Sequence, residues 1–380
     1  MVIDPGLMEA GGHHAALLET LCESEKEDVK LSVFSHEHLD SALASKARSA
    51  KIEIVKHFKT NFYQHYDNGF QLKLSGLQQY IRHLAAEYLQ VFKLVTEKNS
   101  QEKMVFFYPC LNWEHASSLS LALSFMQSEL PIVHKVCCMF TPADRCDSNS
   151  FYYRMGFSTL SKFRNVKLYA TDWETKEYYS SLNIPTKGYH PCYLLNWDEA
   201  TVKRSKSQKT PHFLLYMGDA KENKGFTRLP ELVESYIKRY EGNVDLTIQY
   251  TLAWDYPELA ASISQLLLLN EKYEQLNLHN FFWEAPDLVN AFQEFTGFVC
   301  TYSPLTYKNK SSGLTWLAAY FNLHVVVSES CWIVRELDRL GSSYTISNSL
   351  FIEPRSVENS TRDSIYYQNL FTNLIKWLKE

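Results

Sequence analysis

The chain lacks an excess of basic charge. Its 380 residues carry 38 lysines and arginines against 43 aspartates and glutamates, a formal net charge of -5. A general nucleic-acid binder usually has the opposite balance, so that class is set aside, while a local basic site for a phosphate is not. A long apolar run is also missing. No stretch approaches the roughly 18 or more apolar residues of a membrane-spanning helix. The opening MVIDPGLMEAGG has neither the basic nor the extended apolar region of a secretory signal. No two cysteines stand in C-x-x-C spacing, so no structural zinc is expected. The cysteines are Cys22, Cys110, Cys137, Cys138, Cys146, Cys192, Cys300 and Cys331, several of them inside apolar runs such as VHKVCCMF and FVCTY. That placement reads as reduced core residues of a cytoplasmic protein.

What is present is enough apolar residue, 45% of the chain, for a sizeable core, and a length that suits two domains better than one. The first half alternates short strand-like runs with longer helical ones: MVIDPG, KLSVFSH, KIEIVKHF, KMVFFYP, PIVHKVCCMF and VKLYAT are separated by segments with helical spacing. Such alternation predicts a mostly parallel sheet with helices on both faces. Continuous apolar strands such as MVFFY fit a sheet buried on both sides. The stretch NWDEATVKRSKSQKTP is polar and without apolar period, and reads as a linker over 196–211. The pattern then restarts with HFLLYMG, VDLTIQYT, LNLHNFFWE, TGFVCTYSP and HVVVSE, and closes on one amphipathic helix over 364–380. The expectation is therefore α/β: two Rossmann-like, doubly wound domains over 1–195 and 212–363, with the last helix packing back on the first domain. Ligand sites of such sheets lie at the carboxyl ends of their strands.

Four segments carry chemistry. After the first strand comes GGHHAALLETL, where Gly11 and Gly12 permit a sharp turn or a close approach. His13 and His14 follow at the start of the helix, and a neutral histidine there can accept a proton from a hydroxyl. Adjacent positions on a helix point about 100° apart, which disfavours shared metal chelation, so neither is read as a metal ligand. The segment YPCLNWEHASSLS places Asn112, Glu114 and His115 just beyond another strand end, with a helix-terminal glutamate as the plainer reading of Glu114. His134, inside a strand, reads as a core histidine. In LLYMGDAKENKGFTRLPELV a strand runs through Gly218 to Lys221 and Lys224, lysines able to meet a diphosphate. In TYSPLTYKNKSSGLTWLAAYFN, Lys310, Ser311, Ser312 and Gly313 precede a helix whose first N–H groups suit a phosphate. The strand–loop LHNFFWEAPDLV is a candidate border of a nucleotide base, with Phe282 or Trp283 packing near it, and core packing is the expected role of both rings.

The order of these segments resembles the GT-B glycosyltransferases, and among them the glycosyltransferase family 4 superfamily. That family has a Gly-Gly loop after the first strand, a strand–Gly–x(n)–Lys–Gly segment opening the second domain, and a loop–helix with acidic and glycine residues before G-x-P-V-V. Here these correspond to Gly11-Gly12, to Gly218 through Lys224-Gly225, and to Ser311–Gly313 before NLHVVVS. The resemblance implies two domains facing a cleft and retaining transfer from a nucleotide-diphosphate sugar without a bound metal or cofactor. The acceptor would be a hydroxyl of a glycan or of a lipid-linked molecule, as in surface polysaccharide or glycoconjugate synthesis, with peripheral membrane association left open. It implies donor contacts from Gly11, Gly12, Gly218, Lys221, Lys224, Lys310, Ser311, Ser312 and Gly313. Catalytic or sugar-contacting roles fall to His13, Asn112, Glu114 and His115. Two departures stand out. The family's paired glutamates fall at Asn309 or Lys310 and at Leu317 or Ala318, and its arginine after the second-domain glycine is Asp219. A sugar-nucleotide epimerase on the same fold, or a non-catalytic glycan-binding or partner subunit, remains as the alternative.

Overall fold

The computed structural model describes residues 1–24, 29–64, 74–98, 104–126, 132–139, 147–197, 210–252, 257–351 and 362–380. Cys146 and most of the expected linker lie outside the described residues. The chain divides into two compact units. One comprises Met1–Asp198 with Thr372–Glu380, and the other Glu199–Phe371.

The first unit holds a parallel sheet of seven strands: β1 (Val2–Asp4), β2 (Ser32–His36), β3 (Glu53–Phe58), β4 (Met104–Tyr108), β5 (Ile132–Cys138), β6 (Val166–Ala170) and β7 (Gly188–Tyr189). Their order in the sheet is β3-β2-β1-β4-β5-β6-β7. Between them run the helices α1 (Gly12–Glu23), α2 (Ser41–Ser49), α3 (Leu74–Lys98), α4 (Trp113–Ser124), α5 (Asp147–Leu160) and α6 (Trp173–Ser181). Strand β4 explains the sandwich. Phe106 and Tyr108 point into a core shared with Leu84, Tyr88 and Phe92 of α3, Leu119 of α4 and Phe157 of α5. Phe107, between them, points to the opposite core with Leu17, Leu18 and Leu21 of α1 and Leu43 of α2. A central strand must be apolar on both sides to do this. The edge strand β3 is mostly open, with only Phe58 fully buried.

The second unit repeats the plan with β8 (His212–Asp219), β9 (Asp245–Thr251), β10 (Leu276–His279), β11 (Gly297–Cys300), β12 (His324–Val327) and β13 (Tyr344–Ile346), in the order β10-β9-β8-β11-β12-β13. Helices α7 (Leu229–Arg239), α8 (Ala260–Lys272), α9 (Ala285–Glu294), α10 (Gly313–Tyr320) and α11 (Trp332–Leu340) connect them. Strands β7 and β13, of 2 and 3 residues, have no apolar run behind them and were not expected from the sequence.

The expected single helix over 364–380 is two: α12 (Ser364–Leu370) in the second unit and α13 (Leu374–Lys379) in the first. Asn373 breaks them, because its side chain accepts from the Lys376 N–H to start α13 and donates to Asn196 at 2.9 Å. Trp377 then packs on Tyr169 and Phe107, with ring centroids 4.7 and 5.6 Å away. Lys135, 2% exposed, donates to the Trp377 carbonyl and lies 4.4 Å from the Trp377 ring. A buried ammonium is stable only with such partners.

Candidate functional site

In both units the strand order reverses beside the first strand, between β1 and β4 and between β8 and β11. The crevice outside the carboxyl ends at such a switch point is where open α/β sheets bind ligands. The thirteen residues given donor-binding or catalytic roles by the resemblance lie on the strand ends, loops and helix starts at these two places.

In the second unit, the loop after β8 is pressed against the end of β11. The Thr301 hydroxyl donates to the Lys224 carbonyl at 2.7 Å, and the Ser303 N–H to the Asn223 carbonyl at 3.0 Å. Gly225 makes this possible: it has φ +78°, and a Cβ there would meet the Thr301 carbonyl oxygen at 2.2 Å. Gly218, at φ +107°, leaves room for the Lys224 ammonium, which would stand 3.3 Å from a Cβ at that position. Burial lowers Lys224 from 10.5 to about 8; Asp219 opposes that, while Lys221 and Lys310 lower it further. Lys310 is lowered by desolvation and then by Lys221, with its ammonium 5.7 Å from the Tyr307 ring. Three cations from two loops therefore repel one another at one strand edge. Asp219 lies 3.6 Å from Lys221 and accepts from the Thr251 hydroxyl at 2.7 Å. At the start of α10, Ser312 is the N-cap residue, yet its side chain makes no capping hydrogen bond; it bonds the Tyr302 hydroxyl instead. Ser311, Ser312 and Gly313 are half-buried. The first-turn N–H groups of α10 are thus not met by a serine cap, and a cationic cluster stands on the same loop. That combination suits a polyanion such as a diphosphate. Beyond β10, Trp283 is core, as expected, but Phe282 is not: it is 37% exposed, and Phe281 53%. The Phe281 carbonyl accepts from Gln249, whose side-chain oxygen accepts from the Gly218 N–H, so Gln249 ties that aromatic loop to the lysine loop.

In the first unit, Gly11 is extended and Gly12 has φ +73°, and a Cβ at either would meet nothing within 4 Å. Gly12 serves the turn, whereas Gly11 leaves open space. His14 is buried, with Nδ1 on the Asp4 carboxylate at 2.8 Å and Nε2 on the Tyr63 hydroxyl at 2.7 Å. Its ring fills the space where a Cβ on Gly6 would stand, 2.4 Å from Nε2. His13 is half-buried; burial and then the His14 charge hold its imidazole neutral. The two rings do not diverge as helical spacing suggested. Their centroids are 4.1 Å apart, because both imidazoles turn toward Tyr63, whose hydroxyl is 3.3 Å from His13 Nε2. The sequence reading passed over Asp4, Gly6 and Tyr63; a carboxylate ending the first strand of such a sheet was the signal available.

Asn112 is the N-cap of α4, and its N–H donates to His115 Nδ1 at 3.1 Å, a reciprocal cap with histidine at the third helical position. His115 is fully buried, stacked 3.8 Å from the Phe62 ring, with Nε2 near the Tyr80 hydroxyl and the Phe62 carbonyl. It fastens α4 to α3 and to the loop after β3, and offers no open nitrogen to a ligand. Glu114 differs. It is fully buried, accepts from the Asn112 amide at 3.2 Å, and its second oxygen has no hydrogen-bond partner. Burial pushes its carboxyl up to about 7, poised to give or take a proton near neutrality. His134 is a core histidine, as expected, bonded to the Tyr108 hydroxyl at 2.9 Å.

No family model matches the chain, and no curated protein does. Solved structures do. A UDP-forming α,α-trehalose-phosphate synthase from Burkholderia xenovorans aligns over 100% of this chain and 99% of its own, at TM-score 0.60 and 10% identity. A glycosyltransferase from Rickettsia africae aligns over 100% and 92%, at TM-score 0.56 and 10% identity. A UDP-GlcNAc 2-epimerase from Methanocaldococcus jannaschii aligns over 100% and 99%, at TM-score 0.54 and 9% identity. The fold is GT-B. At these identities the likeness establishes the GT-B architecture, with both Rossmann-type units, and leaves chemistry to the residues. Among the described residues of this GT-B protein, no helix is long and apolar enough to cross a membrane.

Proposed function

We propose that the protein is a glycosyltransferase that moves a sugar from a nucleotide-diphosphate sugar to a hydroxyl of a glycan or lipid-linked acceptor. The observation that carries this reading is the convergence of Lys221, Lys224 and Lys310 beside the amino end of α10. Cleaving the bond to the donor sugar leaves charge on the diphosphate, and preorganised cations and N–H groups aimed at that charge lower the barrier. In this reading Lys224 and Lys310 meet the phosphates, Ser311, Ser312 and Gly313 present N–H groups, and Gly218 lets the chain turn tightly beneath them. Asp219, where the family resemblance places an arginine, holds Lys221 instead. The exposed Phe281 and Phe282 stand where a nucleotide base would be sought. Gly11 leaves room near the transferred sugar, His13 contacts the acceptor or donor, and Glu114 is the proton-handling group. Retention and membership of the family 4 superfamily are what the resemblance adds. A uridine nucleotide is the first to try, because two of the aligned structures are named for UDP compounds.

The test is thermal stabilisation against nucleoside diphosphates and nucleotide sugars. A ligand at about 100 times its Kd adds roughly 2.7 kcal/mol. A shift specific to one base supports the donor site. Turnover of that sugar nucleotide with no acceptor redirects the reading to an epimerase. The absence of any shift removes the phosphate site and favours a non-catalytic subunit.

A further inference from the structure

His14, Asp4, Tyr63 and Cys110 have no part in the transfer reading, yet they converge with His13 at the β1/β4 switch point. One ligand atom from each of His13, His14 and Cys110 lies within 4.8 Å of the others. The Tyr63 hydroxyl contacts both histidines through Nε2, at 3.3 and 2.7 Å, so two imidazoles aim at one small volume. We propose that His13, His14 and Cys110 form a binding site for a divalent transition metal of the zinc class, with Asp4 as the outer carboxylate that orients His14. This inference does not rest on the transfer reading, and it takes His13 as a metal ligand in place of the substrate contact given to it there.

Three arguments support it. The donor set is two imidazoles and a sulfur, which suits zinc and its neighbours and not magnesium or calcium, which take oxygen. The spacing is close to what is needed. With metal–nitrogen bonds of about 2.0–2.1 Å and metal–sulfur bonds of about 2.3 Å, tetrahedral ligands stand roughly 3.3–3.8 Å apart. The ligand atoms lie within 4.8 Å of one another, at most about 1–1.5 Å beyond that spacing, and His13, half-buried at the start of α1, is the ligand least confined by the core. The outer shell is also in place. Asp4 is 1% exposed and holds His14 Nδ1 at 2.8 Å, so that Nε2, now bonded to the Tyr63 hydroxyl, is the nitrogen a metal would take, as in carboxylate–histidine–zinc arrangements. Gly6 supplies the space the His14 ring needs. On binding, the Cys110 sulfur donates an electron pair to the metal and its proton leaves to solvent. Three protein ligands leave a fourth position, where the Tyr63 hydroxyl or a water enters.

The experiment is a titration of the dialysed full chain with Co2+, read by absorption, followed by competition with Zn2+. The expected result is one ion per chain, intense visible bands of a four-coordinate ion, and a near-ultraviolet thiolate-to-cobalt band that zinc abolishes. Cys110→Ser removes the near-ultraviolet band. His13→Gln, at a half-buried position that leaves the core untouched, weakens binding at least tenfold and guards against a Cys110 variant that fails to fold. Asp4→Asn, which keeps the shape, weakens it by roughly 10–100-fold without touching the metal. A cobalt spectrum like that of the aqueous ion overturns the site, as does binding that His13→Gln and Cys110→Ser leave unchanged.

Discussion

Replacing Lys224 with methionine separates binding from folding. Its ammonium is held at about 8 instead of 10.5, chiefly by burial. At 1.36 kcal/mol per pH unit this is about 3 kcal/mol, and partial access to water reduces it to about 1–2 kcal/mol. The sign follows from proton counting. Below pH 8 both folded and unfolded chains carry the proton, and the folded chain bears the whole penalty. Between about 8 and 10.5 the folded chain loses its proton first, so stability rises with pH, and above 10.5 the penalty is gone. Lys224→Met is therefore expected to be more stable than the parent by about 1–2 kcal/mol at pH 7, with the gain vanishing near pH 11. A diphosphate reverses the balance by supplying the counter-charge. Losing one charged hydrogen bond costs about 1.5–3 kcal/mol, which weakens nucleotide binding roughly 10–150-fold. The parent should also bind nucleotide less well as pH rises through 8. Urea unfolding across pH, with and without nucleoside diphosphate, reads all three effects. A variant that is less stable at pH 7 and binds nucleotide as before would refute the reasoning.

Two further changes probe the first unit. Glu114→Gln keeps the acceptor for Asn112 and removes a buried carboxylate whose pKa, about 7, lies above its ordinary 4.5. Below 4.5 both states are protonated; between 4.5 and about 7 only the unfolded chain ionises, so the parent loses stability as pH rises. The variant should gain up to about 3 kcal/mol at pH 8 and nothing at pH 4, while turnover falls; an equal effect at both pH values in urea unfolding would sink the assignment. Gly11→Ala adds a methyl group to open space on extended backbone. Its unfolding free energy should stay within about 0.5 kcal/mol of the parent while kcat/KM drops, and unchanged kcat/KM would mean that no substrate passes there.

The architecture was legible because its long elements obey simple periods. Strands such as β4 and β5 are continuous apolar runs, and the helices between them show 3.6-residue spacing. The two shortest strands escaped because two or three residues carry no period. The break before α13 escaped because one asparagine cap interrupts an otherwise continuous amphipathic pattern. The loops that carry the candidate residues were legible for a related reason: each follows the first or fourth strand of its sheet, and the order of strands in the chain already marks those ends as switch points.

Orientation was not legible, because it is decided by residues distant in sequence. His14 is fixed by Asp4, 10 positions away, and by Tyr63, 49 positions away. Together they draw two rings to one point, against the divergence that helix geometry alone implies. His115 was read as a ligand contact, yet it fills the place of a glutamate in a helix cap and spends both nitrogens inside the unit. Glu114, beside it, has the plain sequence reading of a helix-terminal acid and turns out buried with an oxygen left over. The two exchange roles because the first turn of α4 gives the His115 ring to the cap and leaves the Glu114 carboxylate buried beside Asn112. The second unit shows the same limit in charge. A resemblance that expects an arginine and two glutamates finds an aspartate and neither glutamate. Three lysines from two loops, closely packed beside Gly218 and Gly225, instead concentrate positive charge, which on the proposed reading meets the diphosphate. If the proposed donor site holds, a motif can be lost position by position while the charge it supplied is provided by neighbouring residues.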